Sequence, residues 1–390
     1  MFILGAGASV PLGMPTTVSL RKALCDDTPE GRAAAEIHRS AAYRFRLSED
    51  SINIEDFLEH LYELQLMMWL AQRSRLPKLL PGYTANDEVP AAASEMFANL
   101  HRRVYSLLHE TCGDCSGKKV DRLWSRILGC AAGQQDVVPM FTLNFDWTFE
   151  KLAIEASGRY HLADGFELLG GVWDAGRLES LNPVRGKINI ALFKLHGSTN
   201  WLPGGPVKSM GSFEPGEEEF GDNGYPPHQF EMIYPGHAHE QWFGKEYWGR
   251  LNEGDGIVEP WAEREPYKTL HARLRDSLQR ARRIVIIGYA FHDKMVNAEL
   301  AAALEMKKDA EVLVVDPGIK RYVKRTNSTY QEPPFEYLKF GEPSFPWSRF
   351  IWLEGKFGEK RIADAIIGWI SVAEKRTAAV RSEDQDTPVV

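Results

Sequence analysis

Cysteine is scarce in this chain: Cys25, Cys112, Cys115 and Cys130 are the four in 390 residues. Four are too few for a disulfide scaffold, and the expected compartment is a reducing cytoplasm. Long apolar runs are lacking as well. No stretch of the sequence reaches the roughly 18 apolar residues that a membrane span needs, so no membrane contact is expected. The apolar residues 2–4 are broken at once by Gly5-Ala6-Gly7, with no basic segment before them, which excludes a signal-peptide pattern. An excess of basic charge is absent too. Lys and Arg number 46 against 54 Asp and Glu, a formal net charge of −8, which makes direct nucleic-acid binding the less favoured role. No internal repeat is visible.

What is present is the composition of a globular chain, 44% hydrophobic and 11% aromatic, long enough for an ample core. Short, nearly continuous apolar runs read as strands: 2–4, 137–143, 191–195, 283–288 and 312–316, with a further candidate at 350–353. Helical stretches lie between several of them. Strands buried on both faces of a parallel sheet read this way, so the expected fold is α/β, a doubly wound parallel sheet. Residues 17–25 and 360–376 read as helices. Between 53 and 70, Ile54, Phe57, Leu58, Leu61, Leu64 and Met68 recur at helical spacing, and 91–110 repeats the pattern. The expected organisation is one domain made of 1–27 and 133–381. It carries a large helical insertion at 28–132 and a Gly/Pro/Glu-rich irregular insertion at 201–265, and 382–390 is a polar tail.

The chemistry-bearing residues cluster at strand ends. Gly5-Ala6-Gly7-Ala8-Ser9 follows the first strand and precedes a helix, the arrangement that brings backbone N–H groups to a pyrophosphate. Val10 stands where the usual dinucleotide fingerprint has its third glycine, which disfavours an ordinary dehydrogenase. Asn144 and Asp146 follow the strand at 137–143, and an Asx turn capping the next helix is the plain alternative. His196 follows the strand at 191–195, with Gly197 leaving room beside it. Gly288, Tyr289 and Asp293 follow the strand at 283–288. Asp316 ends the strand at 312–316, where an acid can hold a ribose hydroxyl. Ligands of open α/β sheets sit beyond these carboxyl ends.

Taken together, Gly5-Ala6-Gly7-Ala8-Ser9 with Gly13-Met14-Pro15-Thr16, Thr142-x-Asn144-x-Asp146, Lys194-Leu195-His196-Gly197 and Gly288-Tyr289-x-x-x-Asp293 resemble the sirtuin superfamily, most of all its prokaryotic sirtuin-like branch. The resemblance covers about 1–20 and 137–320. It implies a sirtuin-like Rossmann fold and NAD bound by Gly5, Ala6, Gly7, Ser9, Pro15, Thr16, Gly288, Tyr289, Asp293 and Asp316. It implies Asn144, Asp146 and His196 as the catalytic set. Two departures qualify it. Thr16-Thr17 stands where the family usually continues with an acid, an aromatic and an arginine, and no Cys follows His196 to build the zinc module of the deacylases. Cys112 and Cys115 are half a zinc site, and no metal is expected.

These departures turn the expectation from protein deacylation to NAD hydrolysis, yielding nicotinamide and ADP-ribose, as in sirtuin-like effectors of antiphage defence. Asn144 would hold a water, His196 would accept its proton, and Asp146 would stabilise the oxocarbenium-like charge on the ribose. The alternatives are a non-catalytic NAD or ADP-ribose sensor or assembly subunit, and an NAD-dependent deacylase. An unrestrained NAD hydrolase would drain its own cell. Homo-oligomerisation and a protein partner are therefore expected as gates: a HerA-like ring ATPase first, a short Argonaute-type protein second.

Overall fold

The computed structural model describes residues 1–15, 17–46, 115–165, 174–179, 182–198, 266–289, 291, 293–317 and 349–371, with isolated residues between 49 and 107. The irregular insertion at 201–265, the tail at 382–390, Thr16 and most of the helical pattern at 53–70 and 91–110 lie outside them. Among the described residues no helix is long and apolar enough to cross a membrane.

Seven strands form one sheet: β1 (Phe2–Leu4), β2 (Val138–Thr142), β3 (Tyr160–Ala163), β4 (Ile188–Lys194), β5 (Arg283–Ile287), β6 (Glu311–Asp316) and β7 (Phe350–Glu354). Their order is β3-β4-β2-β1-β5-β6-β7, and every neighbouring pair is parallel. This is a doubly wound, Rossmann-like α/β fold. From β1 the chain runs to β2 beside it, then to β3 at the outer edge, and returns to lay β4 between β2 and β3. It then crosses back to lay β5 against the other side of β1. The sheet order therefore reverses at β1, and such switch points open a crevice beyond the carboxyl ends of the strands.

Side chains alternate across β1, so Phe2 and Leu4 enter one core and Ile3 the other. On the first face lie α3 (Gly117–Ala132), α4 (Thr148–Glu155) and the helix over 360–371. Trp124 of α3 is their anchor, with ring centroids 5.2 Å from Phe149 and 4.7 Å from Phe357. Burying one such ring stabilises by roughly 1.5–3 kcal/mol. The second face carries α6 (Tyr267–Arg280) and α7 (Lys294–Met306), whose Leu270, Leu274, Leu300 and Leu304 cover Ile284, Ile286 and Val314. α5 (Ala175–Glu179) adds Leu178 to this face.

A third apolar cluster stands apart from the sheet. α1 (Thr17–Leu24) and α2 (Pro29–Phe45) bring Leu20, Leu24, Ala34, Ile37 and Ala41 together with Ile52, Phe57, Leu61 and Leu100. Thr28 caps α2, accepting from Gly31 N at 3.0 Å. The expected helical insertion ran to 132, but its last helix, α3, belongs to the sheet domain. Val120, Trp124, Ile127 and Leu128 pack on Phe2 and Met140. The described part of the insertion that packs away from the sheet therefore ends before Ser116, the N-cap of α3.

Candidate functional site

Sheet order brings the motif residues to one edge. β2 lies between β1 and β4, so the turns after Leu4, Thr142 and Lys194 are neighbours, and β5 sets Gly288 on the other side of β1. Backbone bonds carry the register past the strand ends. Leu143 N donates to Leu4 O, Leu195 N to Thr142 O and Gly5 N to Ile287 O.

The glycine loop leads into two single 3-10 turns, Ala6–Ala8 and Val10–Leu12, and α1 begins at Thr17, where the sequence pattern places it. Pro11 opens the second turn and Gly13, at φ 97°, closes it, so no α-helix N-terminus follows the glycines directly. Most of the loop's N–H groups are also engaged. Gly5 donates to Ile287, Gly7 to Gly288, Ala8 to Gly5 and Ser9 to Ala6. Ala6 sits exposed at the tip and is the residue of this stretch whose N–H is left for a ligand. What the glycines permit is close approach of two backbones. A Cβ on Gly7 would lie 2.6 Å from Gly288 Cα, and Gly288 itself takes φ +62°.

Asn144 and Asp146 meet the loop through one hydroxyl. Asn144 Nδ2 donates to Gly5 O and to Ser9 Oγ, both at 3.0 Å, and Ser9 Oγ donates to Asp146 Oδ2 at 2.6 Å. A carbonyl cannot donate, so Gly5 O dictates which end of the Asn144 amide faces the loop. Both amide protons are thereby engaged. Oδ1 is the atom left to accept a hydrogen bond from something in the crevice. Asp146 Oδ1 accepts from Thr148 N at 3.1 Å, so the Asx turn read from the sequence is also present.

His196 is not exposed by its turn, contrary to expectation. Gly197 bends the chain at φ 81°, yet His196 is 2% exposed. Its Nε2 lies 2.6 Å from Asp293 Oδ2, and its Nδ1 is buried with no hydrogen-bond partner. Asp293, expected at the cofactor, instead holds His196 and caps α7, accepting from Val296 N at 2.9 Å. Burial alone would raise its carboxyl. The hydrogen bond and charge of His196, with the Val296 N–H, outweigh this and set it below the usual range. Tyr289 is likewise turned inward, its hydroxyl donating to Asn297 Oδ1 at 2.8 Å. Phe291 completes this turn at φ +59°, a strained value for an aromatic residue. Half-buried Asp316 ends β6, two strands from β1, and Pro15 follows the glycine loop.

Three residues here escaped the sequence reading as parts of the site. Buried Lys194 donates to Asp146 O at 2.6 Å and to Ser198 Oγ, and pairs with buried Glu150 at 2.7 Å. A lysine ending an otherwise apolar strand is the signal that could have found them, because a buried ammonium needs partners. Among the described residues no group of three or more His, Cys, Asp or Glu is placed to hold a metal ion. A cavity of about 550 Å³ opens at the opposite, amino ends of the strands, lined by Phe2, Arg273, Arg283 and Trp369. It is remote from every motif residue, and the switch-point crevice is the better candidate on chemistry. Comparison with models of known protein families finds no match, and comparison with curated proteins finds none.

Proposed function

We propose that the chain is an NAD hydrolase that cleaves the bond between nicotinamide and ribose at the switch-point crevice. The observation that carries this reading is the pairing of two acceptors at adjacent strand ends. Asn144 Oδ1 is aimed by the Gly5 carbonyl, and His196 Nδ1 is left as the acceptor of a ring whose other nitrogen faces Asp293. Asp293 favours the tautomer with hydrogen on Nε2 and stabilises the imidazolium formed when Nδ1 takes a proton. In NAD the pyridinium leaves as neutral nicotinamide, so no general acid is needed. Water adds at the ribose carbon, the carbon–nitrogen electron pair departs with nicotinamide, and the water's proton goes to His196. Asn144 Oδ1 orients that water, and Asp146 lies beside the developing positive charge. NAD binds as substrate and no metal takes part.

The inward-facing His196 ring and the engaged loop amides favour a second reading, a non-catalytic NAD or ADP-ribose sensor. Turnover separates the two. The pure protein incubated with NAD should release nicotinamide and ADP-ribose in equal amounts. Tight ADP-ribose binding with no nicotinamide release under any condition selects the sensor.

The activity belongs in the cytoplasm and under a gate: self-association together with a protein partner, a HerA-like ATPase ahead of a short Argonaute-type protein. Sedimentation paired with turnover at several protein concentrations tests this. A fully active monomer, indifferent to either partner protein, ends the gating idea.

A further inference from the structure

We infer that Lys194 and Glu150 form a positioning pair that locks the turn after β2 to the turn after β4. This rests on the NAD-hydrolase reading for its catalytic consequence, though not for its geometry. The Lys194 side chain is 1% exposed and that of Glu150 is 7% exposed. The ammonium has three protons. One goes to Asp146 O at 2.6 Å, on the turn that carries Asn144. Another goes to Ser198 Oγ, on the turn that carries His196, and Ser198 Oγ in turn donates to Phe145 O at 3.2 Å. The third side of the ammonium faces Glu150 Oε1 at 2.7 Å, on the first turn of α4.

Stability does not explain the pair. Among the described residues neither Glu150 oxygen has a hydrogen bond of good geometry, so the contact is ionic and incompletely satisfied. Burying two charges is costly, and apolar replacement of a buried ion pair is often neutral or stabilising. What an aliphatic pair cannot do is hold a backbone carbonyl of one turn and a hydroxyl of the next at fixed separation. That separation sets the distance between the Asn144 amide and the His196 ring.

The test compares wild type with the double variant Lys194→Met/Glu150→Leu. The variant should stay folded, with melting lowered no further than the loss of the lysine's bonds to Asp146 O and Ser198 Oγ accounts for, and ADP-ribose should bind nearly as before. NAD turnover should lose roughly 10²-fold in kcat with little change in KM, the signature of misplaced reacting groups. Amide hydrogen exchange at 143–148 and 195–198 should quicken while that of the sheet does not. Lys194→Arg should not restore kcat, because a planar fork cannot reproduce three divergent contacts. Should the double variant fail to fold, the isosteric Glu150→Gln is expected to show the same exchange change in smaller degree. Wild-type kcat together with unchanged exchange in a folded variant overturns the lock. If wild type itself cleaves no NAD, the hydrolase reading falls, and exchange at the two turns still decides the lock.

Discussion

His196 Nε2 sits 2.6 Å from Asp293 Oδ2 across 97 residues of sequence, both side chains buried and the second ring nitrogen without a partner. The pairing joins two strand-end residues and leaves Nδ1 as the ring atom that the proposed hydrolase would use as its base. Asp293→Asn should preserve the α7 cap, since Asn also caps helices well. It would offer Nε2 an amide donor and push the ring's proton onto Nδ1. Loss of the base should lower kcat for NAD by roughly 10²–10⁴-fold. Steady-state turnover and a melting curve on the same preparation check this. Wild-type turnover in a folded variant removes the dyad from the mechanism.

Ser9 is the hinge between the glycine loop and the Asn144–Asp146 turn. Ser9→Ala removes a hydrogen bond from each of Asn144 Nδ2 and Asp146 Oδ2. Stability should fall by about 1–3 kcal/mol, the cost of leaving partly buried polar partners unmet. Turnover should fall further than the loss of folded protein accounts for. A denaturant titration beside NAD kinetics separates the two contributions.

Gly7 and Gly288 face each other backbone to backbone. Because a Cβ on Gly7 would meet Gly288 Cα at 2.6 Å, Gly7→Ala must part β1 from the turn after β5. The expected loss is about 3 kcal/mol or more, among the larger single-site effects. Gly13→Ala gives a comparison, as its Cβ would meet only the end of the Lys119 side chain, although φ is +97°. It should cost about 1–2 kcal/mol, from backbone strain alone. Equal losses at the two positions would refute close approach as the reason for Gly7.

Beside the Met1 amine, which burial lowers from 8.0 to about 5, the buried imidazole of His271 carries part of the pH dependence. Burial lowers it from 6.5 to about 4, with Asp293 opposing and His196 assisting the shift, and with Glu299 and Arg275 nearby. The unfolded chain therefore binds the extra proton between these values, and stability rises with pH across that window. It is complete above about 6.5 and falls as pH drops towards 4, by about 3 kcal/mol in order of magnitude. Urea midpoints at pH 7.5, 5.5 and 4.5 should fall in that order, and His271→Leu should flatten the trend. An unchanged slope in the variant would assign it to other groups.

How much of this was legible follows from what each signal depends on. Six of the seven strands announce themselves as apolar runs, five of them because both their faces are covered, while β7 is an edge strand with Phe350 buried and Ile351 exposed. β3 was missed. Tyr160-His161-Leu162-Ala163 is a short edge strand with alternating burial, too brief and too polar to stand out. The helix at 17–25 was legible, but the two single 3-10 turns before it were not, because three-residue turns carry no periodicity to read. That Asn144, Asp146 and His196 lie at carboxyl ends of strands was legible from the apolar runs before them. Their partners were not, because the His196–Asp293 and Lys194–Glu150 pairs exist only once sheet order and helix placement are known. Asp293 was noticed but given to the cofactor, since nothing local reveals that a histidine 97 residues earlier claims it.

Asn144, Phe145 and Asp146 are consecutive, yet their side chains serve different parts of the molecule. Asn144 and Asp146 are held by Gly5 and Ser9, while the Phe145 ring is buried among α1, α2 and the residues that pack with them. Among the described residues, this third cluster is thus joined to the candidate site through the Phe145 ring. Loosening those helices withdraws the support of the Asn144 turn while the seven strands stay paired. Heat or protease acting on that cluster should therefore disturb the Asn144 turn before the sheet gives way.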